Sequence, residues 1–73
     1  MSSTNRKIVE FIRDKWISEY SNNSLFARKH NIDEKTVRMI KEDEAYSISL
    51  NTVIKICEAR NISLQEFCRL VNV

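Results

Sequence analysis

The sequence predicts an all-α fold, a compact bundle of five short helices in a single domain over residues 1–73. Two observations indicate this fold. The chain contains no glycine and no proline, which tight β-turns require and which interrupt helices. Apolar residues make up 42% of the 73 residues, and they recur three or four positions apart, which is the spacing of a buried helix face. A chain of this length is expected to form one domain at most.

The first predicted helix runs from residue 4 to about residue 19. Its apolar residues Ile8, Ile12 and Trp16 follow one another at intervals of four, and charged residues fill the positions between them. Thr4 can cap the start of this helix, because threonine accepts a hydrogen bond from a free backbone N–H. A run of serine and asparagine follows, and it is expected to end the helix because these side chains compete for backbone hydrogen bonds.

Two further helices are predicted in the middle of the chain. The second begins at residue 23 or 24 and ends at residue 30, where Asn31 can adopt the left-handed conformation that glycine usually takes. Asp33 is expected to cap the third helix, which runs to about residue 42. Val37 and Ile40 lie three positions apart on that helix and are predicted to face the core, which leaves its other face polar.

A loop over residues 43–49, anchored by Tyr46 and Ile48, is predicted to lead into the fourth helix. This helix opens at Ser49 or Asn51 and ends near residue 60. The residues predicted to point inward are Val53, Ile56 and Cys57, with Leu50 and Ile54 as further candidates.

Asn61 is expected to end the fourth helix in the same left-handed way as Asn31. Ser63 and Glu66 then have the spacing of a capping box, which predicts a fifth helix to about residue 71. Its apolar stripe consists of Leu64, Phe67, Cys68 and Val71. We expect part of this stripe to be exposed, and an exposed apolar patch often marks an interface.

Composition excludes several function classes. The longest apolar run has three residues, far short of the ~20 that a membrane helix needs, so no membrane partner is expected. The N-terminus lacks the apolar stretch of a secretion signal, which predicts a cytoplasmic location. A net charge of +2 does not by itself indicate nucleic-acid binding.

Catalysis is not expected. Cys57 and Cys68 form no C-x-x-C pair, and together with His30 they supply too few ligands for a zinc site. His30 is interpreted as a helix-end residue, since no nucleophile or acid stands at a fixed spacing from it. The chain also lacks a glycine-rich phosphate loop. The sequence therefore predicts no cofactor, no metal and no enzymatic activity.

The segment from residue 23 to residue 40 has the spacing of a helix-turn-helix. Two helices that cross steeply need a small residue where they touch, which Ala27 provides. The tight turn between them needs a residue that tolerates positive φ, which Asn31 does. Val37 and Ile40 then cover the inner face of the second helix, so that its outer face is free to enter a DNA major groove.

This segment resembles the helix-turn-helix of the phage-repressor and Cro-like (XRE) family, whose fold is lambda-repressor-like. The downstream pattern agrees in register, with Ser-Leu-x-Thr at residues 49–52 and Ser-Leu-x-Glu at residues 63–66, and the match covers about residues 5–70. There are departures from the family pattern. Asn23 stands where the family often has glutamine, Asn31 where it has glycine, and Lys41 where it has glutamate.

The resemblance implies roles for residues on both helices of the motif. DNA base-reading residues would be Glu34, Lys35, Thr36, Arg38 and Met39. Phosphate contacts would be Asn23, Arg28 and Lys41. A dimer interface on the fifth helix would use Leu64, Phe67 and Val71. Between residues 21 and 41, five basic residues stand against two acidic ones, which is consistent with a DNA-facing surface.

The function expected from this resemblance is a sequence-specific transcriptional regulator that binds double-stranded DNA as a homodimer on a two-fold-related operator. An alternative is a protein-interaction module of the same fold, such as an antitoxin with a protein partner. The two differ in a simple observation, because the regulator prefers one DNA sequence whereas the module forms a stable complex with another protein.

Overall fold

A computed structural model describes residues 3–73, and this part of the chain contains five α-helices and no strand. The helices are α1 (Thr4–Phe11), α2 (Asn23–Lys29), α3 (Glu34–Glu42), α4 (Leu50–Ala59) and α5 (Leu64–Val71). The predicted all-α class is confirmed. Among these described helices, none has the length and apolar character needed to cross a bilayer.

The first helix begins where expected, but Ser3 caps it rather than Thr4. Ser3 has extended backbone angles, and its hydroxyl accepts a hydrogen bond from the Arg6 N–H at 3.0 Å. Thr4 is already the first helical residue. The cap is therefore one residue earlier than predicted, a shift that the two adjacent hydroxyl residues make hard to foresee from the sequence.

Helical structure continues to residue 19 as predicted, but its geometry changes along the way. A π-helical turn spans Ile12–Trp16, and a 3₁₀ turn spans Ile17–Glu19. Within the π turn, Ile12 and Trp16 are both buried. The 3₁₀ turn that follows buries Ile17 as well.

Asparagine ends the helices in place of glycine, as predicted. Asn31 has a φ of 58°, and Asn61 has a φ of 60°. After α2, the Ile32 N–H bonds to the Ala27 carbonyl at 3.0 Å and the Asn31 N–H bonds to the Arg28 carbonyl at 3.4 Å. This pair of bonds is a Schellman motif, and a corresponding pair follows α4.

Of the other N-caps that the sequence analysis predicted, those of α4 and α5 are confirmed and that of α3 is not. Ser49 and Ser63 accept hydrogen bonds from the backbone N–H groups of Thr52 and Glu66, at 3.2 and 3.0 Å. Asp33 lies at the N-cap position of α3, but its carboxylate makes no hydrogen bond to that helix. Its predicted capping bond is therefore absent from the structure.

Among residues 3–73, thirteen apolar residues form the core, and every helix contributes to it. Val37 and Ile40 of α3 are fully buried, which confirms the predicted inner face. The aromatic ring of Phe67 packs against those of Phe11 and Trp16, with centroids 5.9 and 5.3 Å away. Leu50 is 62% exposed, so its candidacy as an inward residue was wrong. It lies on the first turn of α4, ahead of the buried stripe that starts at Val53.

Ala27 lies on the buried face of α2, where the Ile32 N–H bonds to its carbonyl. Replacing Ala27 with leucine is expected to lower the free energy of unfolding by about 1–3 kcal/mol, because the added carbons overpack the contact between α2 and α3. Chemical denaturation measures this loss. Ala59→Leu, at an exposed helical position, is the matched control. Equal stability of the Ala27→Leu variant and the wild type would show that the helices are not in close contact there.

Candidate nucleic-acid interface

Helix α3 separates an apolar inner face from a polar outer face. On the outer face Glu34, Lys35 and Arg38 are exposed, whereas Thr36 and Met39 are half-buried at its edges. Within residues 3–73, neither Lys35 nor Arg38 makes a salt bridge or a side-chain hydrogen bond. Their charged groups are thus available to a ligand of opposite charge.

Two of the residues assigned to phosphate contacts bind each other. The Lys41 ammonium donates a hydrogen bond to Asn23 Oδ1 at 2.9 Å, which joins the end of α3 to the start of α2. Among the described residues, the Asn23 amide nitrogen and the other two Lys41 N–H groups have no acceptor and can donate to a ligand. This bond spans 18 residues of sequence, and the sequence analysis did not anticipate it.

The loop that follows α3 is held by the first helix. Asn5 makes two hydrogen bonds to the Ile48 backbone, one to its carbonyl and one from its N–H, each 2.9 Å long. Arg6 donates to the Glu44 carbonyl at 2.8 Å. These contacts hold the loop after α3 against α1, and no sequence pattern indicated them.

A hydrogen-bonded network centred on His30 supports the turn between α2 and α3 from behind. His30 is 2% exposed, and its ring stacks on that of Phe26 with centroids 3.8 Å apart. Its Nδ1 lies 2.8 Å from the Phe26 carbonyl, so Nδ1 carries the hydrogen and Nε2 accepts from Arg60 at 3.1 Å. Arg60 also lies over the Trp16 ring at 4.3 Å and donates to Glu19 at 3.3 Å.

Protonation of His30 is expected to destabilise the fold. Burial lowers the pKa of His30 below its usual 6.5; the Phe26 carbonyl partly offsets this, and the charges of Arg60 and Glu19 have smaller lowering and raising effects. The unfolded chain therefore binds a proton that the folded chain does not, so stability falls as the pH drops below 6.5.

Thermal unfolding of wild type and His30→Gln at a series of pH values tests this expectation. Glutamine can still accept from Arg60 but does not titrate, so its curve should be flatter than that of the wild type just below pH 6.5. Carboxylates titrate mainly around pH 4, which separates their contribution from that of His30. Parallel curves for the two proteins would contradict the assignment.

The outer side of α5 is partly apolar, and the structure corrects one of its predicted members. Phe67 is fully buried, so it belongs to the core and not to an exposed interface. Leu64 is 38% exposed and Val71 is half-buried. Leu64 and Leu50 line an apolar groove of about 200 Å³ between α1, α4 and α5.

The two cysteines are free thiols. Cys57 is buried in the core as predicted, and burial raises the pKa of its thiol. Cys68 is half-buried on α5. Among residues 3–73, no three His, Cys, Asp or Glu side chains come together in a group that could hold a metal ion.

Comparison with protein families places these features in a known group. The family model for the Cro/C1-type HTH DNA-binding domain matches residues 7–72, which include all of the helix-turn-helix and both later helices. Comparisons with curated proteins and with solved structures find no significant match. DNA-binding domains of this kind are typically not enzymes. The chain belongs to the Cro/C1-type helix-turn-helix family of DNA-binding domains.

Proposed function

We propose that this protein is a sequence-specific transcriptional regulator that binds a two-fold-related operator as a homodimer. The observation that carries the proposal is the outer face of α3. There, Lys35 and Arg38 are exposed and without salt bridges among the described residues, while Val37 and Ile40 fix the opposite face in the core. In a DNA-binding family, such a helix suits insertion into the major groove.

Base reading is assigned to the side chains of this face by their chemistry. Arg38 can donate two hydrogen bonds to guanine, and Lys35 can donate to the same base edge. Glu34 can accept from cytosine, and Met39 can contact a thymine methyl group. Thr36, half-buried at the edge of the face, can bond to a base or a phosphate.

Phosphate binding is assigned to residues beside the reading face. The bond between Lys41 and Asn23 supports this assignment, because it fixes two donors at the meeting point of α2 and α3. Arg28 is exposed on α2 and adds a third donor group. Such contacts set the register of the protein on DNA without reading sequence.

Dimerisation is assigned to the apolar side of α5. Of the three residues predicted for this interface, Leu64 and Val71 are retained, because Phe67 is buried in the core. Leu50 is also exposed, and it lines the same apolar groove as Leu64. A second copy packed there would bury this patch. Two copies would then present their α3 helices to half-sites ~34–36 Å apart.

Fluorescence anisotropy at ~150 mM salt tests the function, with the DNA upstream of the protein's own gene and a scrambled duplex as probes. We expect a preference of ~10³-fold or more for the specific DNA. Weak binding that is equal on both duplexes would contradict the proposal and would favour the protein-interaction module.

Replacing Arg38 with alanine is expected to weaken binding to the operator by about 1–3 kcal/mol, because a bidentate contact to a base is lost. Binding to scrambled DNA should change little. Arg13→Ala, at a position on the first helix outside the motif, is the control for loss of one arginine charge. An equal loss on both duplexes would mean that Arg38 contacts a phosphate instead of a base.

A further inference from the structure

An open groove of about 470 Å³ lies between the helix-turn-helix and α4. We name it the α4 groove. Its polar lining includes Arg28 from α2, Asp33 and Thr36 from the start of α3, and Thr52 and Lys55 from α4. Small-molecule pockets are mostly apolar, so this lining favours a polar or charged ligand.

We propose that the α4 groove binds a phosphate of the DNA backbone, with Lys55 as a cationic contact outside the helix-turn-helix. The inference rests on the proposed DNA-binding function. Lys55 and Arg28 come from different helices and are both exposed. Within residues 3–73, neither makes a salt bridge or a side-chain hydrogen bond, so neither charge is held in an ion pair.

The position of the groove relative to α3 supports a backbone phosphate as its ligand. The major groove is about 12 Å wide, and a helix with its side chains has a diameter of about 10–12 Å. A helix inserted there is flanked closely by both phosphate backbones. Thr36 lies on the first turns of α3 and also lines the α4 groove, so this groove opens beside the inserted helix.

Asp33 repels an anion in the α4 groove and is therefore expected to lower the affinity of the groove for phosphate. Asp33 lines the same groove, and its carboxylate makes no capping bond to α3. A negative charge there repels a phosphate and weakens the attraction of Lys55 and Arg28. Replacing Asp33 with asparagine removes the repulsion without harm to the helix start, since both residues are good N-caps.

The test compares Lys55→Gln, Asp33→Asn and a control, Lys15→Gln, on operator and scrambled duplexes over a series of salt concentrations. Lys15 is exposed on the π turn of the first helix and does not line the α4 groove. Lys55→Gln is expected to weaken binding by the same factor on both duplexes and to reduce the slope of log K against log salt by about 1. Asp33→Asn is expected to strengthen binding to both duplexes.

Suppose that the wild type binds DNA but that Lys55→Gln and Lys15→Gln have equal salt slopes. This result would contradict phosphate binding in the α4 groove and leave the proposed function standing. Absence of DNA binding by the wild type would overturn the proposed function and this inference together. Inorganic phosphate is the second probe, followed through the amide chemical shifts of Thr36 and Lys55. If these shifts move with phosphate while Lys55→Gln binds DNA normally, the groove holds a free anion and the backbone assignment is wrong.

Discussion

Replacing Phe67 with alanine is expected to lower the free energy of unfolding by about 3–5 kcal/mol, the loss typical of a large aromatic residue removed from a core. Phe67 is fully buried, and its ring contacts those of Phe11 and Trp16. The change removes these contacts and leaves a cavity at the meeting point of α5 with the first helix. For a domain of this size, such a loss is a large share of the total stability.

Urea denaturation measures the effect, with Leu70→Ala as the control on the same helix. Leu70 is half exposed, so its truncation removes less buried surface and should cost much less. Similar losses for the two variants would contradict the placement of Phe67 in the core.

Phe67 also illustrates what the sequence could predict. The spacing of apolar residues identified the helices and the stripe on α5, because helical period follows from backbone geometry. It did not identify which part of that stripe another helix covers. That depends on the packing of α1 and α4 against α5, and the same ambiguity explains why Leu50 was considered an inward residue although it is exposed.

Features that depend only on neighbouring residues in the sequence, such as helix ends, were predicted best. Asn31 and Asn61 end their helices at positive φ, as the chemistry of asparagine predicts in a chain without glycine. The π turn at Ile12–Trp16 was missed, because its sequence differs little from that of a regular helix.

In the candidate nucleic-acid interface, too, local features could be predicted and long-range contacts could not. Which residues of α3 face outward could be predicted, because Val37 and Ile40 fix the rotation of the helix. The bond from Lys41 to Asn23 and the contact of Arg60 with His30 join residues 18 and 30 positions apart. Contacts of that range depend on the assembled fold, and one sequence carries no pattern for them.

Replacing Leu64 with aspartate is expected to convert the proposed dimer into a monomer and to weaken operator binding by about 10²–10⁴-fold, the advantage that two linked half-site contacts give. Leu64 is 38% exposed and is the first residue of α5. Its replacement should leave the fold intact, because a negative charge is favourable in the first turn of a helix. In a dimer interface, however, the same charge would be buried against an apolar surface without a partner.

Sedimentation velocity and anisotropy on full and half operators separate these effects. Gln65→Asp is the matched control, because it places the same charge on the neighbouring exposed position of α5. We expect Leu64→Asp to bind a single half-site as well as the wild type does, since α3 is unchanged, and to lose only the gain from the second half-site. If Leu64→Asp remains dimeric with full operator affinity, the two copies meet elsewhere. Loss of half-site binding as well would mean that the substitution disturbs the fold, which its melting temperature would reveal.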